Sequence, residues 1–316
     1  MPLTLAIGQV GVGSSRKYET QCCGTSNLIR LSLAPPSALC TQMRVACLGD
    51  SITRGDARHE AGRGTHLPFK KQTAGRGSYP ATLQQLLGAT SATVANFGHG
   101  QRTLLDDGEA TKPYRRTAEW AEAQRFGASH VVLMLGTNDC QRRVWMNASR
   151  PQRFSSQLAA MARTILAWPT RPALLLMVPP PVRRRTWCAG RTTLRGEIAP
   201  RIAAAGSSVK SSRVSPCKPG TIHVLDLQAV PPFDGCALLE RHRAERTRDC
   251  HRTPACRDTL NRKRAQEATC APLYTPDGIH TSERGSDAIA TAVHSVLGAC
   301  ANLTATFVRH SRLEDD

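Results

Sequence analysis

From residue 43 onward the chain alternates short apolar runs with helical patterns, five times over. The runs are MRVACLG (43–49), SATVANFG (91–98), HVVLMLG (130–136), PALLLMVP (172–179) and TIHVLDL (221–227). Each is nearly continuous in apolar residues, as expected of strands covered on both faces. Helical patterns lie between them at 79–88, 116–126, 154–167, about 191–205 and 283–299. In 154–167, Phe154, Leu158, Met161, Ile165 and Leu166 share one face. In 283–299, Ala288, Ile289, Ala292, Val293, Val296 and Leu297 do the same, and Gly298 reads as the stop. Strand–helix alternation of this kind predicts an α/β fold: a three-layer α/β/α sandwich around a parallel sheet of about five strands. In such folds the functional crevice lies beyond the carboxyl ends of the strands.

Four short motifs stand at the ends of predicted elements. They are Gly49-Asp50-Ser51, Asn96-Phe97-Gly98, Gly136-Thr137-Asn138-Asp139 and Asp277-Gly278-Ile279-His280. Each alone reads as an ordinary turn, because Asn and Asp beside Gly are common turn formers. Their order and their placement at strand ends argue for a site. A serine hydroxyl needs a base to become a nucleophile. His280 is the candidate base for Ser51, and Asp277, three residues earlier, can hold the imidazole in the right tautomer.

On these motifs the chain resembles the SGNH hydrolases, the GDSL esterase/lipase superfamily, over most of residues 43–299. The segments NFGHGQRTLL, KPYRRTAEW, VVLMLGTNDCQRRVW and VPPPV look most like the sialate O-acetylesterase-like, carbohydrate acetylesterase branch. The resemblance implies the flavodoxin-like SGNH hydrolase sheet and a Ser51–His280–Asp277 triad. It also implies an oxyanion hole from the backbone N–H groups of Ser51 and Gly98 and the side-chain amide of Asn138. No metal and no organic cofactor is expected. The implied activity is a serine esterase cleaving small acyl groups, acetyl foremost, from a carbohydrate or similar alcohol. The alternatives are a lipase, lysophospholipase or thioesterase of the same superfamily, or a basic polyanion-binding protein on a hydrolase scaffold. Residues 99–101, His-Gly-Gln, depart from the small residues common there, and 231–272 is longer than the usual link. His99 reads as a pocket wall, and Asp50 and Asp139 read as carboxylates holding loop backbone. Trp145 matches a family tryptophan, with packing and a substrate platform both open. His223, His242, His251 and His294 have no partner spacing that argues for function.

The chain has 316 residues and a net charge of +18, with 42 Lys plus Arg against 24 Asp plus Glu. Such a field attracts polyanions, acidic glycans included. The bias toward Arg, Ala, Gly and Pro also follows from a GC-rich genome, and that reading is preferred. Aromatics are only 4% and are not interleaved with the basic runs, which argues against single-stranded nucleic acid as a partner. No apolar run approaches the roughly 20 residues of a membrane span. Twelve cysteines without a CxxC pair favour disulfides over zinc, and five of them lie between 217 and 270. With sequons at Asn147 and Asn302, this leans toward the secretory pathway, although residues 1–40 make a poor signal and resemble an organelle transit segment weakly. The expected organisation is an N-terminal segment 1–40 that is poorly ordered or serves in targeting, a hydrolase domain 41–300 and a tail 301–316. Insertions are expected at about 56–77, 207–219 and 231–272. Sequence leaves the oligomeric state open.

Overall fold

Each of the five apolar runs forms a strand of one parallel sheet in the computed structural model. The model describes residues 42–55, 77–146, 149–184, 186–190, 193–208, 215–234, 236 and 268–310. In chain order the strands are β1 (Met43–Gly49), β2 (Ala92–Gly98), β3 (His130–Met134), β4 (Ala173–Val178) and β5 (Ile222–Asp226). The helices are α1 (Ser51–Arg54), α2 (Tyr79–Leu87), α3 (Ala118–Arg125), α4 (Arg142–Trp145), α5 (Arg150–Leu166), α6 (Ala199–Ser208) and α7 (Glu283–His310). A π-helical segment, Thr193–Ile198, leads into α6. The expected segments 1–40, 56–77 and 231–272 fall wholly or largely outside the described residues, as do 209–214 of the segment 207–219 and the Asn147 sequon.

The strand order is β2-β1-β3-β4-β5. The chain winds outward from β1 to β2, then crosses back over β1 to build β3, β4 and β5. That reversal opens a crevice between the carboxyl ends of β1 and β3, the topological switch point of a doubly wound sheet. Register puts Gly49 of β1 level with Gly98 of β2 and Met134 of β3. The three loops that follow therefore leave the sheet side by side.

Alternation along the strands builds two apolar layers. Ala46 and Leu48 of β1 and Val131 and Leu133 of β3 pack against α3, α5 and α6 through Trp120, Phe154, Met161 and Ile202. Val45, Cys47, Val132 and Met134 point the other way, onto α2 and α7 through Leu83, Ile289 and Val293. Fully burying one such side chain is worth about 1.5–3 kcal/mol. These two layers hold the strand ends, and so the site loops, in fixed register.

One helix end differs from expectation. The apolar stripe of α7 predicts a stop at Gly298, yet the helix continues to His310, into the segment expected as a tail. A lone glycine costs a helix only about 1 kcal/mol. Here Cys300, just beyond it, is bonded to Cys217, which anchors that turn. Among the described residues the other disulfides are Cys140–Cys188 and Cys236–Cys270. Among the described cysteines Cys47 is free and buried, and burial pushes its thiol up to about 12, so it is inert. Cys250 and Cys256 lie outside the described residues. No helix among the described residues is long and apolar enough to cross a membrane.

Candidate active site

The site begins where β1 ends. Gly49 packs so tightly on the Thr53 side chain and the Met134 carbonyl that a Cβ there would collide with both. The chain can then turn sharply, and Ser51 opens α1 directly above the strand. Asp50, 1% exposed, stabilises that turn: its Oδ1 accepts the Ile52 N–H at 2.9 Å, and its Oδ2 lies 3.3 Å from Asn138 Nδ2. This is the loop-holding role its position suggests.

Opposite Ser51 stands the loop before α7. Asp277 Oδ1 accepts from the backbone N–H groups of Ile279 (2.8 Å) and His280 (3.0 Å) and from the Thr275 hydroxyl (2.8 Å). Its Oδ2 lies 2.6 Å from His280 Nδ1, and His280 Nε2 lies 2.9 Å from Ser51 Oγ. Residues 229 apart in sequence thus meet in one hydrogen-bonded line, Asp277–His280–Ser51. Burial alone would raise the Asp277 pKa. The His280 ring, the two backbone donors and the Thr275 hydroxyl outweigh it and bring the carboxyl down to about 2. A carboxylate ionised in this way holds the proton on Nδ1 and leaves Nε2 as an acceptor. Ser51 is 8% exposed and the His280 side chain 16%, so neither is sealed from solvent.

The second and third motifs supply donors. Gly98 packs against the backbone of Arg54, where a Cβ would have no room. Its N–H donates to Asn96 Oδ1 at 2.9 Å. Asn138, 4% exposed, donates from Nδ2 to the Arg102 carbonyl at 3.0 Å and accepts from Gln141 Nε2 at 3.1 Å through Oδ1. Asp139 turns away from the crevice. Its two oxygens accept the N–H groups of Leu104 (3.0 Å) and Leu105 (2.9 Å), and full burial raises its pKa to about 6 against those bonds. It ties the β3 loop to the loop after β2.

Several contributors have no signal in the motif pattern. Residues 182–184 and 186–190 contact two of the site loops. The backbone N–H groups of Arg183 and Arg184 both donate to the Gly278 carbonyl, at 2.8 and 3.1 Å. At the other end, Trp187 Nε1 donates to the Thr137 carbonyl, the Ala189 N–H to the Cys140 carbonyl, and Cys188 is bonded to Cys140. That disulfide closes 48 residues and is worth about 4 kcal/mol on a chain-entropy basis. Cys140 directly after the Asn138-Asp139 pair was the one sequence hint. Trp145 is 5% exposed, stacks edge-on with Phe154 and donates to Glu197 Oε2 at 2.7 Å. It packs and offers no platform. His99 contacts Glu119 and Arg102 instead of forming a bare wall. His223, near the start of β5, lies at the opposite end of the sheet, and His294 is on α7; His242 and His251 are outside the described residues. No group of three His, Cys, Asp or Glu side chains among the described residues is placed to hold a metal ion.

The GDSL-like lipase/acylhydrolase family model matches residues 47–214, just over half of the chain. The chain belongs to this family. An acetylxylan esterase of Xylanibacter ruminicola is similar at 30% identity over 205 residues, which is 60% of this chain and 39% of that protein. The chain therefore spans about two fifths of the length of that curated relative. Two carbohydrate acetylesterases of Sinorhizobium meliloti share the fold of this GDSL-like chain. One is 21% identical with a TM-score of 0.50, covering 83% of this chain and all of the other. The second, Est24, is 17% identical with a TM-score of 0.50, covering 82% and 99%. The family accounts for the α/β/α architecture, and ester hydrolysis is its chemistry.

Proposed function

We propose that this chain is a serine esterase that removes acetyl groups from a carbohydrate or similar alcohol. The observation that carries the proposal is the Asp277–His280–Ser51 line at the switch point of the sheet. In this reading Ser51 Oγ attacks the ester carbonyl while His280 Nε2 takes its proton. Asp277 stabilises the imidazolium, which then gives the proton to the departing alkoxide. Water attacks the acetyl-serine, with His280 again as base, and releases acetate. Every proton and electron pair in this cycle is handled by the chain's own groups and water.

The tetrahedral oxyanion would be met by Ser51 N–H, Gly98 N–H and Asn138 Nδ2. Gly98 N–H points at Asn96 Oδ1 without substrate, so it must swing to, or be shared with, the stronger anionic acceptor. Asn138 has two amide hydrogens. One is held at 3.0 Å by Arg102, and the longer contact to Asp50, 3.3 Å, is the one an oxyanion would replace. The acetyl preference is supported by the likeness to the acetylxylan esterase of Xylanibacter ruminicola.

A series of p-nitrophenyl esters, run beside acetylated xylan oligomers, tests the reading. The expected result is kcat/KM highest for acetyl and falling at least tenfold by octanoyl, with acetate released from the xylan oligomers. A preference for long acyl chains would replace it with the lipase reading. Absence of turnover together with salt-sensitive polyanion binding would replace it with a binding protein.

A further inference from the structure

We infer that Glu119, His99 and Arg102 form a positioning relay that aims the Asn138 amide. The inference rests on the proposed function, in which that amide meets the oxyanion. Arg102 lies in the loop between β2 and α3, and its carbonyl is the nearer of the two acceptors on Asn138 Nδ2. The loop is fixed at both ends. The His99 N–H donates to the Gly49 carbonyl at 2.9 Å, and Thr103 exchanges backbone bonds with Lys112 and Tyr114. Between these anchors Gln101 takes φ 63°, the left-handed region that a side chain disfavours. Lys112 Nζ holds that residue by its Oε1 at 2.7 Å. A loop in this conformation needs something to keep it there.

The side chains supply it. Arg102 Nη2 lies 2.7 Å from His99 Nε2, and His99 Nδ1 lies 2.8 Å from Glu119 Oε2 on α3. A guanidinium has donors and no acceptor, so Nε2 of His99 accepts. The ring is then neutral, with its hydrogen on Nδ1 and donated to Glu119. Each member thus has one role: Glu119 fixes the ring, the ring fixes Arg102, and the Arg102 carbonyl fixes Asn138. The relay begins one residue after Gly98 and touches none of Ser51, His280 or Asp277. It is a positioning device built on His99, Arg102 and Glu119, of which His99 falls in 99–101, where the sequence departs from the small residues common there.

The test is a double-mutant cycle on p-nitrophenyl acetate with His99→Ala, His99→Gln, Glu119→Gln and Asn138→Ala. His99→Ala is expected to lower kcat about tenfold with KM within twofold. His99→Gln should restore most of the loss, because a carboxamide can donate to Glu119 and accept from Arg102. In the Asn138→Ala background His99→Ala should change nothing further. A side-chain amide spectrum of ¹⁵N-labelled protein gives a readout independent of turnover: the Asn138 signal should move in His99→Ala and return in His99→Gln. An unmoved Asn138 signal, or an equal kcat loss with and without the Asn138 amide, would overturn the relay. A wild type without esterase turnover would overturn the proposed function, while the amide signal would still decide whether the relay holds Asn138.

Discussion

Replacing Ser51 by Ala is expected to lower kcat on p-nitrophenyl acetate by about 10⁴–10⁶-fold, leaving only what binding and the oxyanion donors provide. Among the described residues the Ser51 hydroxyl bonds His280 Nε2, so its removal should leave the melting temperature within a few degrees of wild type. The pairing of the two readouts matters. Lost activity with a lost fold would say nothing about chemistry, whereas lost activity in a folded protein isolates the hydroxyl. The Ser51→Ala protein turning over within tenfold of wild type would remove Ser51 from the mechanism.

Asp277→Asn is the second large effect, with an expected fall in kcat/KM of about 10⁴-fold. The change is isosteric, and the Asn carbonyl can still accept the N–H groups of Ile279 and His280. Its NH₂ would face His280 Nδ1, where the carboxylate now accepts. Nδ1 would then have to accept, which moves the ring hydrogen to Nε2, the atom that must take the Ser51 proton. The variant should therefore show both the rate loss and a reversed ring tautomer by ¹⁵N shifts of His280. A variant with the wild-type tautomer and kcat/KM within tenfold of wild type would contradict this role. The sign of the pH dependence follows from the same bonds. A carboxyl lowered from 3.8 to about 2 adds stability above pH 3.8 that is lost as pH falls through 2. An acid limb in activity above pH 4 thus belongs to a group other than Asp277.

The sheet was legible in sequence because burial on both faces forces stretches such as 131–134 and 173–178 to be apolar throughout, a pattern no surface element shares. The convergence of Ser51 and Asn138 was legible for a related reason: a parallel sheet places every strand's carboxyl end on one rim, so motifs at those ends must be neighbours, whereas His280 lies in the loop before α7 and was joined to them by the chemistry of the motif set. What sequence could not carry was pairing decided by loop paths. Cys140 and Cys188 are 48 residues apart, and nothing local in either segment selects the partner. His99, Arg102 and Glu119 join through side chains from a turn and a helix, with no repeating spacing to betray them. The run of α7 past Gly298 was hidden likewise, because the anchoring bond at Cys300 comes from a segment before β5.

The most direct measurement of the central claim is covalent labelling with an alkyl fluorophosphonate, located by peptide mass spectrometry. The reagent phosphonylates a serine as fluoride leaves, and only where a base activates the hydroxyl and donors receive the phosphoryl oxygen. One adduct is expected, on the peptide containing Ser51, formed in step with loss of esterase activity and absent in Ser51→Ala. Loss of activity with the adduct on any other residue, or full labelling of Ser51 with turnover intact, would contradict it.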